Sequence, residues 1–167
     1  TVVIADAQTA GRGRRGRVWF SPPGAGLYVS VVLAPARART APDRATALLT
    51  MSAGVALAEA VERSTGLPPS IKWPNDLLVG RRKLAGILAE GVLSPSGAGL
   101  QSVVLGYGIN VMSAAYPPDL SPIVTSLESE LGRGVDRAAV CVESIVSLAS
   151  RYRDLLDGRH DAILDAW

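Results

Sequence analysis

The stretch Ser70–Leu93, SIKWPNDLLVGRRKLAGILAEGVL, carries two apolar runs on either side of a Gly-Arg-Arg turn. SIKWPNDLLV reads as a strand interrupted at Pro74, which cannot donate to a ladder, and resuming at Leu77. The turn at 80–82 sends the chain back through KLAGILAEGVL, so residues 77–93 are expected to form an antiparallel hairpin. A hairpin in mid-chain, in place of a β-α-β crossover, decides the fold class. Antiparallel strands with helices set apart from them make an α+β domain.

Outward from this hairpin the pattern repeats. Val2–Ala5 is β-branched and apolar, which predicts a buried strand, and LYVSVVL over 27–33 predicts a second, ended by Pro35. SPSGAGLQ reads as a loop and SVVLGYGINV as a further strand, in which Gly106 and Gly108 would let a ligand approach the backbone. A long helix is expected from about Asp43 to Ser64, opened by Pro42 and Asp43 and stopped by Gly66, Pro68 and Pro69. Its apolar face carries Leu48, Leu49, Val55, Ala56 and Val61. In the last third, Val142, Ile145, Val146, Ala149 and Leu156 approach helical periodicity from an N-cap at Asp136.

With 167 residues the chain has the size of one domain, and 48% hydrophobic against 19% charged residues excludes a disordered or generally polyanion-coating protein. The apolar run from Ala45 to Val61 is broken by Thr46, Thr50, Ser52 and Glu59, so it reads as a buried helix and not a membrane span. A single cysteine, Cys141, forms no internal disulfide, and no Cys/His cluster suits zinc; a reducing cytoplasm fits. Cys141 is expected in the core and His160, the lone histidine, at the surface. No G-x-x-x-x-G-K-[ST] run is present, which argues against a P-loop.

The net charge is only +2, yet Arg12, Arg14, Arg15 and Arg17 crowd into AGRGRRGRVWF, residues 10–20. Gly11, Gly13 and Gly16 free the backbone to present N–H groups to one point, and the guanidinium forks suit phosphate and carboxylate. Trp19 and Phe20 would offer a flat apolar surface to a ring. Four like charges repel, so the loop is expected to be mobile when empty and to order over an anion. A solvated charge run, or an Arg/Gly segment binding a nucleic-acid backbone with aromatics stacking on bases, is the competing reading. The rest of the chain shows no basic face, so DNA binding is not supported by it.

Lys72, Asn75, Asp76 and Lys83 gather around the hairpin. Asp76 and Lys83 return to one region across the turn, an acid beside a charge stabiliser. The plain alternatives are a capped turn at Asn75 and Asp76 and a solvated hairpin lysine at Lys83, and from spacing alone the solvated reading is favoured for Lys83.

ADAQTAGRGRRGRVWFSP, KWPNDLLVGRRKLAGILAE and GYGIN, in that order, closely resemble the catalytic domain of biotin protein ligases, and the resemblance spans nearly the whole chain. It implies a central mixed or antiparallel β-sheet with flanking helices, related to class II aminoacyl-tRNA synthetases and lipoate ligases. It implies, too, that biotin and ATP are joined as biotinyl-5′-AMP and that the acyl group passes to a lysine of a biotin carboxyl carrier protein. On this resemblance Gln8, Gly11, Arg12, Gly13, Arg14, Lys83 and Gly106 would face biotin. Arg14, Arg17, Trp19, Lys83 and Asn110 would face the adenylate. Lys83, Arg14 and Asp76 would carry the chemistry, with Asp76 toward Mg²⁺. The implied partner is the carrier protein of acetyl-CoA carboxylase or a related carboxylase; a homodimer is admitted and no membrane is involved. A lipoate or octanoyl ligase of the same fold, or a fragment that binds biotin or adenylate without turnover, remains open.

Thr1 is not an initiator methionine and the chain stops at Trp167 within a helical pattern. Residues 1–167 are therefore expected to be a catalytic domain truncated at both ends. The Ser-Thr-Asn motif that the family places before the first strand, and its small C-terminal β-barrel, lie outside it.

Overall fold

A computed structural model describes residues 1–39, 41–95, 99–114 and 116–167. The centre of the SPSGAGLQ loop falls outside them. Six strands form one sheet in the order β1-β2-β6-β5-β4-β3: β1 Val2–Ala5, β2 Gly26–Leu33, β3 Ser70–Lys72, β4 Asp76–Val79, β5 Arg82–Leu93 and β6 Leu100–Asn110. Every ladder between these strands is antiparallel, and the only parallel contact described is the isolated bridge from Lys83 to Val124.

Side-chain alternation gives the sheet two unlike faces. Val29 and Val31 of β2, Ile87 of β5, and Val103, Leu105 and Ile109 of β6 join the buried core with helices α1 (Pro42–Thr65) and α3 (Arg137–Leu156). On the opposite face lie Tyr28, Ser30, Gly86, Leu88, Glu90, Val104, Gly106, Gly108 and Asn110, which line a cavity. One cross-strand row spans the whole sheet: Lys72, Asp76, Gly86, Gly108, Tyr28 and Ala5.

The helix α1 starts with Pro42 at its first turn and ends at Gly66 in the left-handed region at φ 80°, as its punctuation predicts. It is long and apolar enough to cross a membrane by composition, with a mean hydropathy of 1.3, but it packs against α3 and the sheet as the core helix. Asp136 caps α3, its Oδ1 accepting from the Ala138 and Ala139 N–H groups at 2.9 and 3.2 Å. Two short helices complete the chain, α2 (Leu127–Leu131) and α4 (His160–Asp165).

Four expectations need correction. SIKWPNDLLV is not one interrupted strand: Trp73–Asn75 form a turn with a cis Trp73–Pro74 bond, and β3 and β4 pair with each other on either side of it. Strand β1 is an exposed edge, because only β2 pairs with it; Val2, Val3 and Ile4 are 45–57% accessible. The buried stripe of α3 is Val140, Ser144, Ser147, Leu148 and Leu155, whereas Val142 and Val146 face outward. Tyr107 reaches Ser144 at 2.8 Å and Arg63 donates to Ser147, so partners on other elements let these hydroxyls take interior positions. His160 is buried, not superficial, at 5% accessibility with Nε2 lacking a hydrogen-bond partner. Cys141 lies partly buried against the core, and burial raises its thiol pKa.

Candidate active site

The arginine-rich segment forms a small folded loop over the cavity face. Arg12 and Val18 bridge in antiparallel fashion, the Gly13 N–H donates to Arg17 O at 2.7 Å, and Trp19 N–H donates to Gly11 O at 2.9 Å. Its tip, Arg14–Gly16, is a 3₁₀ turn in which Arg15 adopts φ 57° and ψ 40°, a left-handed conformation uncommon for a residue with a Cβ. Below the loop, Gln8 Nε2 donates to Ser21 Oγ at 3.1 Å and Ser21 Oγ donates to Trp19 O at 3.1 Å, tying the base of the loop together. Arg12 reaches across to Glu90 of β5 at 2.9 Å, an exposed pair that contributes little by itself.

The cavity between loop and sheet measures about 650 Å³, large enough for a nucleotide-sized ligand. Its walls include Gln8, Arg12, Gly13, Arg14, Arg17, Trp19, Asp76, Lys83, Gly106 and Asn110. Thus all but one of the sequence-predicted site residues meet around a single space. Gly11 is the exception. It is buried within the loop, where an added Cβ would stand 2.4 Å from Trp19 O and 2.8 Å from Ser21 Oγ, so its close backbone approach shapes the loop instead of lining the cavity. Arg14 also borders a second, smaller hollow of about 270 Å³ beside Asn75 and Leu88.

The hairpin supplies the other half of the site. Lys83 Nζ lies 2.6 Å from Asp76 Oδ1 and 5.1 Å from the Trp19 ring centroid. The Asp76 oxygen is buried and has no hydrogen-bond partner, so the contact with Lys83 is an ion pair without hydrogen-bond alignment. Backbone bonds fix this lysine: its N–H donates to Ile123 O at 2.8 Å and its carbonyl accepts from Thr125 N–H at 2.9 Å. Asn75 braces the hairpin, Nδ2 donating to Ile87 O at 2.7 Å, and Asn110 Nδ2 donates to Thr125 O at 2.9 Å. The role read for Asn110 at the cavity thus coexists with a structural bond.

Aromatic groups complete the enclosure. Phe20 and Tyr116 meet at 6.0 Å between ring centres, joining the loop to the segment after β6. Burial, followed by the nearby Tyr116 and Asp6, pushes the Tyr28 hydroxyl up to about 12 against the lowering effect of Arg137, so it stays protonated and donates to Pro22 O at 3.2 Å. Burial likewise raises Tyr116.

Sequence reasoning missed Gly86, Tyr116, Leu120, Ile123 and Val124, all of which border the cavity. Gly86 lies inside the KLAGIL run and its register opposite Gly108 was the available signal. Residues 116–124 carry no periodic pattern; the Phe20–Tyr116 contact and the Lys83 N–H bond to Ile123 O bring them to the site. Among the described residues no group of three or more His, Cys, Asp or Glu side chains could hold a metal. A single wall carboxylate such as Asp76 fits an ion that arrives on phosphate oxygens, since magnesium is commonly held by one or two carboxylates plus substrate phosphates.

Comparison with known proteins gives the same picture. The chain is 40% identical over 158 residues to the bifunctional ligase/repressor BirA of Bacillus subtilis, covering 93% of this chain and 47% of that protein. It is 43% identical over 129 residues to a biotin–[acetyl-CoA-carboxylase] ligase of Mycobacterium tuberculosis, covering 75% and 44% respectively. The chain therefore spans about half the length of these relatives. Among solved structures, the biotin protein ligase of Aquifex aeolicus in complex with biotin and ATP superposes with a TM-score of 0.78 at 32% identity, over 92% of this chain and 60% of that one. The antiparallel sheet with flanking helices is the class II aminoacyl-tRNA synthetase-like fold of these ligases. Residues 1–110 match the biotin/lipoate A/B protein ligase family, and the chain belongs to that family.

Proposed function

We propose that residues 1–167 form the catalytic domain of a cytoplasmic, ATP-dependent ligase that activates biotin as biotinyl-5′-AMP and transfers it to a lysine of a biotin carboxyl carrier protein. The observation that carries this reading is the convergence of Arg14 and Lys83, from segments far apart in sequence, on one cavity that also holds Trp19 and Asp76.

In the first step a biotin carboxylate oxygen attacks the α-phosphorus of ATP, the bond to the bridging oxygen breaks, and pyrophosphate leaves. The obstacle is anion against anion. Lys83 and Arg14 lower it by facing the charge that accumulates on the α-phosphate, and Arg12 and Arg17 enclose the phosphates from the loop side. Following the resemblance, Gln8 and Gly106 are assigned to biotin and Trp19 and Asn110 to the adenylate. Magnesium, held by Asp76 and the phosphates, would supply further charge neutralisation. In the second step the carrier lysine amine attacks the acyl carbon and AMP leaves.

The mixed anhydride reacts with water as well as amines, so a loop folded over it limits hydrolysis until the acceptor arrives. Transfer of labelled biotin to an isolated carrier domain, dependent on ATP, tests the proposal. Labelling with lipoate in place of biotin would move the assignment to the lipoate branch of the family. Absence of any transfer, with binding intact, would leave a ligand-binding domain.

A further inference from the structure

Trp19 rests directly on the sheet. Gly86 and Gly108 are paired across β5 and β6 and both face the cavity. A Cβ at position 108 would stand 2.6 Å from Trp19 Nε1 and 2.7 Å from Cε2; one at position 86 would stand 2.9 Å from Trp19 Cζ3. The same added carbon at 86 would meet Lys83 Cε at 3.1 Å and Nζ at 3.2 Å. These separations are below van der Waals contact, so the indole can occupy this place only over bare backbone. Gly106, two residues away on the same face, behaves differently: its nearest neighbour would be Leu88 O at 3.7 Å, ordinary contact. The tight fit is therefore local to the pair and not a property of a glycine-rich strand. The Trp19 Nε1 atom is buried there without a hydrogen-bond partner, so shape and the neighbouring Lys83 cation, not a polar anchor, hold the ring.

We propose that Gly86 and Gly108 form a seat for Trp19 that sets the arginine loop in register with Lys83. Both are positioning residues. Gly108 acts through Trp19, whose atoms are the three nearest to its added Cβ, whereas Gly86 acts through Trp19 and through the path of the Lys83 side chain. This differs from glycines kept small for a ligand, because here the occupant of the bare backbone is the protein's own indole. The part of the inference that concerns kinetics rests on the ligase reading; the seat itself does not.

The test is limited trypsin cleavage at Arg12–Arg17 in the free folded protein, which reports loop docking without any catalysis. Gly108→Ala and Gly86→Ala should each speed cleavage about tenfold or more, the consequence of overpacking a close contact. In a Trp19→Ala background, where the loop is already unseated, Gly108→Ala should add nothing. Gly106→Ala should leave the cleavage rate at the parent value. Wild-type cleavage in Gly108→Ala, or an effect of equal size in the Trp19→Ala background, would overturn the seat. If Gly108→Ala alone does not fold, the Trp19→Ala, Gly108→Ala double variant, relieved of the clash, and Gly86→Ala decide the matter. In biotin-dependent ATP–pyrophosphate exchange, Gly108→Ala should mainly raise KM for ATP and Gly86→Ala should also lower kcat. A wild-type chain that shows no exchange would remove the ligase reading while the cleavage results still decide the seat.

Discussion

Lys83 Nζ stands 2.6 Å from Asp76 Oδ1 while the same ammonium lies 5.1 Å from the centre of the Trp19 ring. One cation is thus shared between the hairpin that carries it and the loop that folds over it. Replacing it tests whether it acts on a transferring phosphate: Lys83→Ala should lower biotin-dependent ATP–pyrophosphate exchange by at least about a hundredfold, the scale of losing one transition-state charge partner. Unchanged exchange would take Lys83 out of the chemistry.

Asp76→Asn separates the two tasks that the carboxylate could serve. The amide keeps the size of the side chain but loses the charge, so Lys83 is left without its ion-pair partner and an incoming magnesium without a wall ligand. Exchange should fall about tenfold or more, and the magnesium concentration for half-maximal rate should rise. A fall in rate with an unmoved magnesium dependence would restrict Asp76 to orienting Lys83.

How much of this was legible in the sequence depended on whether the cause was local. Hairpin β4–β5, helix α1 and the Asp136 cap are set by turn residues, proline, glycine and short-range bonds, and all were readable. The convergence of the arginine loop with Lys83 was suggested by resemblance, not by spacing, because nothing in the local pattern brings residues 10–20 over residue 83. The exposed edge of β1 and the buried face of α3 were not readable, since each is decided by a partner far along the chain: the order of strands for Val2–Ala5, and Tyr107 and Arg63 for Ser144 and Ser147. Gly86 read as part of an apolar strand until Trp19 was found against it.

Tyr107 provides a pH test of the packing behind the site. It is 4% accessible, shares a 2.8 Å hydrogen bond with Ser144, and burial pushes its hydroxyl up to about 12 from 10.0, with the Ser144 bond acting in the opposite direction. Folding thus favours the neutral phenol. Its contribution is fully present below pH 10 and is lost as pH rises toward about 12, because the unfolded chain releases the proton first. Tyr107→Phe should cost about 1 kcal/mol at neutral pH through the lost bond and the orphaned Ser144. It should also flatten the alkaline fall in stability, read as urea midpoints across that range. An equally steep fall in the variant would assign the alkaline transition to Tyr28 or another group.

The loop itself should answer to ligand. Arg12, Arg14, Arg15 and Arg17 lie within six positions, and the loop is held by a handful of backbone bonds, an exposed Arg12–Glu90 pair and the contact of Trp19 with Gly86 and Gly108. Mutual repulsion among those cations opposes closure, and an anion bound beneath them reverses its sign. Trypsin should therefore cut between Arg12 and Arg17 at a measurable rate in the free protein, where the Trp19 seat slows opening without preventing it, and biotin with ATP should slow that cut further by at least about tenfold, whereas biotin with adenosine should protect less because the phosphates are missing. Raising the salt concentration should speed closure in the free protein by screening the repulsion and weaken the ligand's protection by screening the attraction. Equal cutting with and without biotin plus ATP would mean that the arginines do not close over an adenylate, and the loop would then be a fixed wall of the cavity.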